Sequence, residues 1–202
     1  MVIIGLAGKM GAGKNYIAEH IIAPYIHSLH ETYLIVAFGD HLKLDVLNKY
    51  RDEPDITFDS VVNTKPLRVR QLLQYEGTEL ARAANPLVWI NYLDNWIKLH
   101  HSRGVTHFII TDIRFKNEAD WIRSHPFGGH VIHLDYLERT PMYTDDIPLS
   151  ISTHPDHHIS EHDLDDYPHY DAHFTAKSHT TADTAALTTI IMQYLHTIHF
   201  TI

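Results

Sequence analysis

The run Gly8-Lys9-Met10-Gly11-Ala12-Gly13-Lys14-Asn15 constrains this chain more than any other stretch. It fits G-x-x-x-x-G-K-[ST] at every position but the last. An apolar run, VIIGLA at 2–7, precedes it and reads as a buried strand. After it, Ile17, Ala18, Ile21, Ile22 and Tyr25 follow helical spacing from Lys14 to about Ser28, with Pro24 predicting a kink or an early end. Glycines between a strand and a helix let the backbone fold into a nest of N–H donors, and the helix N-terminus adds partial positive charge. Phosphate oxygens need such converging donors. Lys14 is placed to reach the terminal phosphates and stabilise charge on a transferring group. Where the pattern has a hydroxyl to ligate magnesium, this chain has Asn15, whose amide oxygen can ligate the ion or hold one of its waters.

The rest of the chain alternates strands with helices. Residues 33–38 (YLIVAF) predict a second strand, followed by a Gly-Asp turn and a helix at about 41–50. Residues 52–65, polar and broken by Pro54, read as a loop. Leu67, Val69, Leu72, Leu73, Tyr75 and Leu80 predict a helix from Pro66 to about Ala84, and Pro86 opens another with Leu87, Ile90, Leu93, Ile97 and Leu99 inward. Strands follow at 106–111 and 130–136 around a helix at 116–124. Residues 138–168 lack apolar periodicity and read as a long functional loop; a weak strand at 171–175 and a helix at about 180–197 complete the order. Such alternation predicts an α/β fold of three layers, with a parallel sheet covered on both faces and ligands beyond the carboxyl ends of its strands. No repeat or linker divides the 202 residues, so a single domain is expected.

Composition narrows the function. A formal net charge of −9 argues against nucleic acid or an anionic membrane as partner, and no apolar run approaches the roughly 20 residues of a membrane span. The N-terminal run lacks a basic flank and reads as a strand, not a leader. With no cysteine, disulfides and thiolate metal sites are excluded and cysteine usage says nothing of the compartment, for which the cytoplasm is the default expectation.

A second chemical signal is ITDIRFKNEAD, where Asp112 ends the third strand and Arg114, Asn117 and Glu118 follow. A carboxylate there can bind magnesium or its waters beside the phosphate loop, which makes Asn15 and Asp112 the candidate metal ligands. Each residue also has an ordinary alternative: a helix cap for Asp112, a surface ion pair for Arg114, a solvated helix position for Glu118.

GKMGAGKN, FGDHLK at 38–43, VRQLLQYEGTELAR at 69–82 with Trp89, and ITDIRFKNEAD together resemble the bacteriophage and viral deoxynucleoside monophosphate kinases. Order and spacing match from the phosphate loop to about Tyr136; ISEHDL at 159–164 fits more loosely. The resemblance implies a P-loop nucleoside monophosphate kinase fold with a central five-stranded parallel sheet, an acceptor-binding helical region at about 40–101 and a lid at about 138–168. It implies ATP as donor, Mg2+ as cofactor, a (deoxy)nucleoside monophosphate as acceptor and, if viral, the host cytoplasm; a homodimer stays open. Animal phosphomevalonate kinases resemble the chain more distantly and give the alternative acceptor. A nucleotide- or metal-binding regulator without turnover is the alternative outside catalysis.

Carried over by position, Gly8 to Asn15 resemble the ATP-binding loop, with Lys14 its catalytic lysine, and Asp112 the acid near magnesium. Arg114, Arg82 and one of Arg68 and Arg70 look like the grip on acceptor and transferred phosphates. Asp40, Lys43, Thr78, Glu79, Trp89 and Glu118 fall where the acceptor would bind. Trp89 is either a stacking surface for a base or, from its register with Leu93 and Trp96, core.

Charge counting selects among the cations. ATP and a monophosphate carry roughly six negative charges, and one magnesium offsets two. No Lys or Arg lies between Thr140 and Ala176, so the clamp must draw on Lys9, Lys14, Arg68, Arg70, Arg82, Arg114 and Arg139. Arg139, at the start of the lid, is the candidate closing finger, with ordinary surface charge as its alternative. Arg68 and Arg70 point to different sides of a helix, and Arg70 is the choice. The 19 histidines thicken around His154, His157, His158 and His162. Their spacing matches no closed metal site, and a solvated lid of biased composition explains them.

Overall fold

The computed structural model describes residues 1–136, 158–176 and 181–199. Arg139, His154, His157 and most of the expected lid lie outside them. Strands β1 (Val2–Ala7), β2 (Tyr33–Val36), β3 (His107–Ile113), β4 (Gly129–Tyr136) and β5 (Ala172–Ala176) form one sheet in the order β2-β3-β1-β4-β5, every neighbouring pair parallel. The expected α/β fold with its five-stranded parallel sheet is present. Helices α1 (Lys14–Ile17), α2 (Ala23–Ser28) and α7 (Thr181–His199) cover one face, where Ile4, Leu6, Ile132 and Leu134 meet Ile22, Ile26 and Leu195. Helices α5 (Val88–His101) and α6 (Lys116–Arg123) cover the other, where Ile3, Phe108 and Ile110 meet Leu93, Ile97 and Ile122. Strands buried on both faces need apolar residues at successive positions, which is why β1 and the start of β3 read as unbroken hydrophobic runs.

A third, smaller core explains a departure from the sequence reading. Residues 52–65 are not a plain loop: they contain a wide, π-helical turn at Asp59–Thr64. Ile56 and Val61 bury against Val46 of α3 (Gly39–Lys49) and Val69 of α4 (Leu67–Gln74), and this packing overrides the polar composition of the segment. The helix expected from 66 to 84 is α4 running without a gap into a second wide turn, Tyr75–Arg82. Pro24 does not stop its helix. It lies in the first turn of α2, directly after a wide turn at Ala18–Ile22, in keeping with a residue that has no N–H to give the preceding turn.

Candidate active site

Loop 8–13 leaves β1 at its carboxyl end and delivers Lys14 to the start of α1. Gly8 has φ 138°, and a Cβ there would lie 2.3 Å from the Leu134 carbonyl oxygen, so the loop can pass β4 this closely only as glycine. Gly11 and Gly13 both have φ 80°, the left-handed region that turns successive N–H groups inward. Lys14 is buried, and its Nζ donates to the carbonyls of Gly8 at 2.6 Å and Lys9 at 2.9 Å. The lysine thus lies across the nest it belongs to.

Asp112, near the end of β3, joins this loop to the next wall. Its Oδ1 accepts from the Phe38 N–H at 2.7 Å and its Oδ2 from the Gly39 N–H at 2.9 Å. It therefore caps the entry to α3 while also facing the cleft. Burial raises its pKa, opposed by these two N–H groups and by Lys43. Asp40 holds the same turn from the other side, accepting from the Ala37 N–H at 2.9 Å and pairing with Lys43 at 2.8 Å. These contacts explain why β2 ends at Val36 and not at Phe38.

The cleft encloses about 500 Å³. Its lining brings together Met10, Gly11, Ala12, Gly13, Lys14 and Asn15 of the loop with Lys43, Arg70, Thr78, Arg82, Trp89, Asp112, Arg114 and Glu118. Arg70 reaches it from α4, donating from Nε to the Lys65 carbonyl at 2.9 Å and contacting Met10 Sδ at 3.2 Å. Trp89 is buried, yet it lines the cleft as well; its indole N–H donates to the Gly77 carbonyl at 3.0 Å. Arg82 and Glu118 form a buried ion pair, and the Arg82 guanidinium lies 3.8 Å from the centre of the Phe115 ring. Glu118 also accepts from the N–H groups of Arg114 at 2.8 Å and Phe115 at 3.0 Å, which caps α6. It is no solvated helix position. Burial pushes its carboxyl up to about 7, against the pull of Arg82.

The segment 158–166 closes over the back of the loop. Glu161 binds the Arg114 guanidinium through Oε1 and accepts from the Met10 N–H through Oε2 at 3.1 Å. Lys9 reaches the Glu161 carbonyl and the Asp165 carboxylate, and the Lys116 N–H donates to Asp163 at 2.8 Å. One carboxylate therefore ties a phosphate-loop amide to an arginine of the cleft.

A protein of Acanthamoeba polyphaga mimivirus, described as a "putative deoxynucleotide monophosphate kinase", is 30% identical over 165 residues, covering 67% of this chain and 74% of the viral one. The chain belongs to the deoxynucleotide monophosphate kinase family. No family model matches it. Among solved structures, a shikimate kinase from Bacteroides thetaiotaomicron aligns over 96% of this chain and 98% of its own, at a TM-score of 0.41 and 13% identity.

Not every expected residue of this kinase reaches the cleft. Gly8 and Lys9 line a small neighbouring pocket behind the loop with Arg114 and Glu161. Arg68 points away, paired with Glu53 and Asp55, because its position on α4 lies two residues from Arg70 and thus on another side of the helix. Asp40 acts on Lys43 and the turn and is not in the cleft lining. Glu79 is exposed and meets His158 Nε2 at 3.0 Å, linking the wide turn Tyr75–Arg82 to the 158–166 segment.

Lys65 was missed by sequence reasoning. It lies in the cleft lining at φ 46°, beside Lys43 and Arg70. Burial first, then the charges of Lys43 and Arg70, lower its pKa. The available signal was a lysine before Pro66 at the end of a polar segment, which only the third core turns toward the site. Among the described residues no helix is long and apolar enough to cross a membrane.

Proposed function

We propose that this kinase moves the γ-phosphoryl group of ATP to a deoxynucleoside monophosphate, giving the diphosphate. The observation that carries this reading is the shared lining of one cleft: the loop with Lys14 is joined there by Lys43, Lys65 and Arg70. Two phosphorylated ligands need two anion sites within reach of each other, and transfer then depends mainly on positioning and charge stabilisation. In this reading Met10 to Asn15 hold the donor phosphates, Gly8 and Lys9 shape the loop from behind, and Lys43, Lys65 and Arg70 hold the acceptor phosphate. Thr78 and Trp89 border the acceptor base, Glu118 holds Arg82 and Glu79 anchors the 158–166 segment. Arg114 serves the transferred group and Arg139 closes from the lid. Asp40 positions Lys43 without touching the ligand. The whole chain acts as one kinase domain in the cytoplasm, with acceptor region 40–101 and lid 138–168.

Asn15 and Asp112 fit a hard cation. Both line the cleft and offer oxygen, and each Asp112 oxygen accepts one N–H, leaving a lone pair for the ion or its water. Bound with ATP, magnesium would neutralise charge on the donor phosphates.

The test is coupled ADP release with ATP, Mg2+ and each common deoxynucleoside monophosphate, run beside mevalonate phosphate. Acceptor-dependent release is expected with at least one deoxynucleotide, falling about 100- to 1,000-fold in Lys14→Met. Diphosphate formed from mevalonate phosphate alone would reject the acceptor class. Tight ATP binding with no acceptor-dependent release would favour a nucleotide-binding regulator.

A further inference from the structure

His133 and Asp135 stand two residues apart on β4 and therefore on one face of the sheet; His173 of β5 is the register partner of His133. This is the face covered by α6, where Tyr170 packs its ring 4.6 Å from that of His133. Three atoms converge there: His133 Nδ1, His173 Nε2 and Asp135 Oδ2. They form a triangle with sides of 3.3 Å between the two nitrogens, 2.8 Å from His173 to Asp135 and 3.8 Å from His133 to Asp135. Ligands on zinc bonds of about 2.0–2.1 Å in a tetrahedron stand ~3.4 Å apart, which is the mean of these sides to within a tenth or so.

Hydrogen bonding alone serves this triangle poorly. A proton on His173 Nε2 satisfies Asp135, and the same hydrogen is then all that His133 Nδ1 meets on that side. A cation at the centre meets three lone pairs at once. Two imidazoles and one carboxylate suit a borderline metal better than magnesium. The His173 and Asp135 side chains are 53% and 43% exposed, against 15% for His133, so the triangle has an open side for entry and for a water in the fourth position. The nearby cations do not compete for the carboxylate: Lys9 is paired with Asp165, and Lys14 lies on the loop carbonyls.

We propose that His133, Asp135 and His173 form a binding site for one divalent transition-metal ion of the zinc class, separate from the phosphoryl-transfer cleft. The ion pins edge strand β5 to β4, the strand that the phosphate loop passes. It is a site of different chemistry from any magnesium carried by ATP, and it does not depend on which acceptor the kinase uses.

Metal-free full-length protein is titrated with Co2+ and followed by its visible bands, then back-titrated with Zn2+. Because the chain has many histidines, the reading is a difference between variants. Wild type is expected to take up one equivalent that Asp135→Asn and His173→Gln bind at least about 100-fold more weakly. His20→Gln, at an exposed ring stacked on Tyr16, should keep that equivalent. Zn2+ should also raise the thermal midpoint of wild type and leave that of Asp135→Asn unmoved. Circular dichroism checks that both variants fold. Co2+ uptake and spectra that match wild type in both variants, or a wild type that takes up no equivalent, would overturn the site.

Discussion

The two walls of the cleft differ in how closely their cations stand to one another. On the wall built from β3, α6 and residues 158–166, cations meet acids: Arg82 with Glu118 and Arg114 with Glu161, while behind the loop Lys9 meets Asp165. On the wall built from α3 and α4, Lys43, Lys65 and Arg70 crowd together, and their mutual repulsion adds to burial in lowering the Lys65 pKa. Asp40 offsets Lys43 from outside the cleft lining. Cations already paired hold the fold in place, and an incoming phosphate must compete for them. Cations held close to one another are relieved by an anion, so their repulsion becomes binding free energy.

The sharpest way to break this contrast is at Arg82. Arg82→Ala leaves Glu118 buried without its counter-ion and should cost about 3–5 kcal/mol in urea unfolding at pH 8. The loss should shrink below pH 5, where Glu118 is neutral in either protein. A change under about 1 kcal/mol at pH 8 would show that the pair is not what holds that wall.

Glu118 itself gives the next largest effect. Its pKa moves from 4.5 to about 7, so between those values the folded chain keeps a proton that the unfolded chain has lost. Its contribution is therefore fully present below 4.5 and lost as pH rises through 7, a fall of roughly 3 kcal/mol. Glu118→Gln should flatten this part of the stability–pH profile.

On the crowded wall, Lys65→Ala or Arg70→Ala should raise the acceptor KM about 10-fold, with unfolding changed by less than about 1 kcal/mol. An unchanged acceptor KM in both variants would remove the contrast in function. The smallest effect is at Glu161. Glu161→Gln weakens the hold on Arg114 and the Met10 amide, and ATP should bind about 2- to 5-fold more tightly by equilibrium dialysis. Weaker ATP binding would instead make Glu161 a positioning residue for the nucleotide-bound loop.

The sequence was most legible where one local rule dominated. All five strands lie within a few residues of their expected places; for β1 to β4 apolar runs between turn signals admit little else, while β5 carried only a weak signal. The loop glycines and the preference for Arg70 over Arg68 came from backbone chemistry and helix periodicity. What stayed hidden depends on contacts across the chain. The pairing of Arg114 with Glu161 spans 47 residues, and Asp112 finds Phe38 and Gly39 across 74 and 73. Nothing in the local spacing of either partner encodes those meetings. Lys65 was hidden for the same reason, since its polar neighbours disguise a segment anchored by Ile56 and Val61. The metal triangle likewise needs the register of β4 with β5, which no single strand reveals.

Trp89 makes the chain its own optical gauge. Its indole is 6% exposed, with its N–H committed to Gly77, while one part of the ring borders the cleft; Trp96 is 41% exposed on the outer surface of the same helix. Water leaving the cleft alters the surroundings of the first tryptophan and not of the second. The third tryptophan, Trp121, packs edge-on against Phe38; intrinsic emission, with Trp96→Phe and Trp121→Phe to remove the other two, therefore follows occupancy without any attached dye.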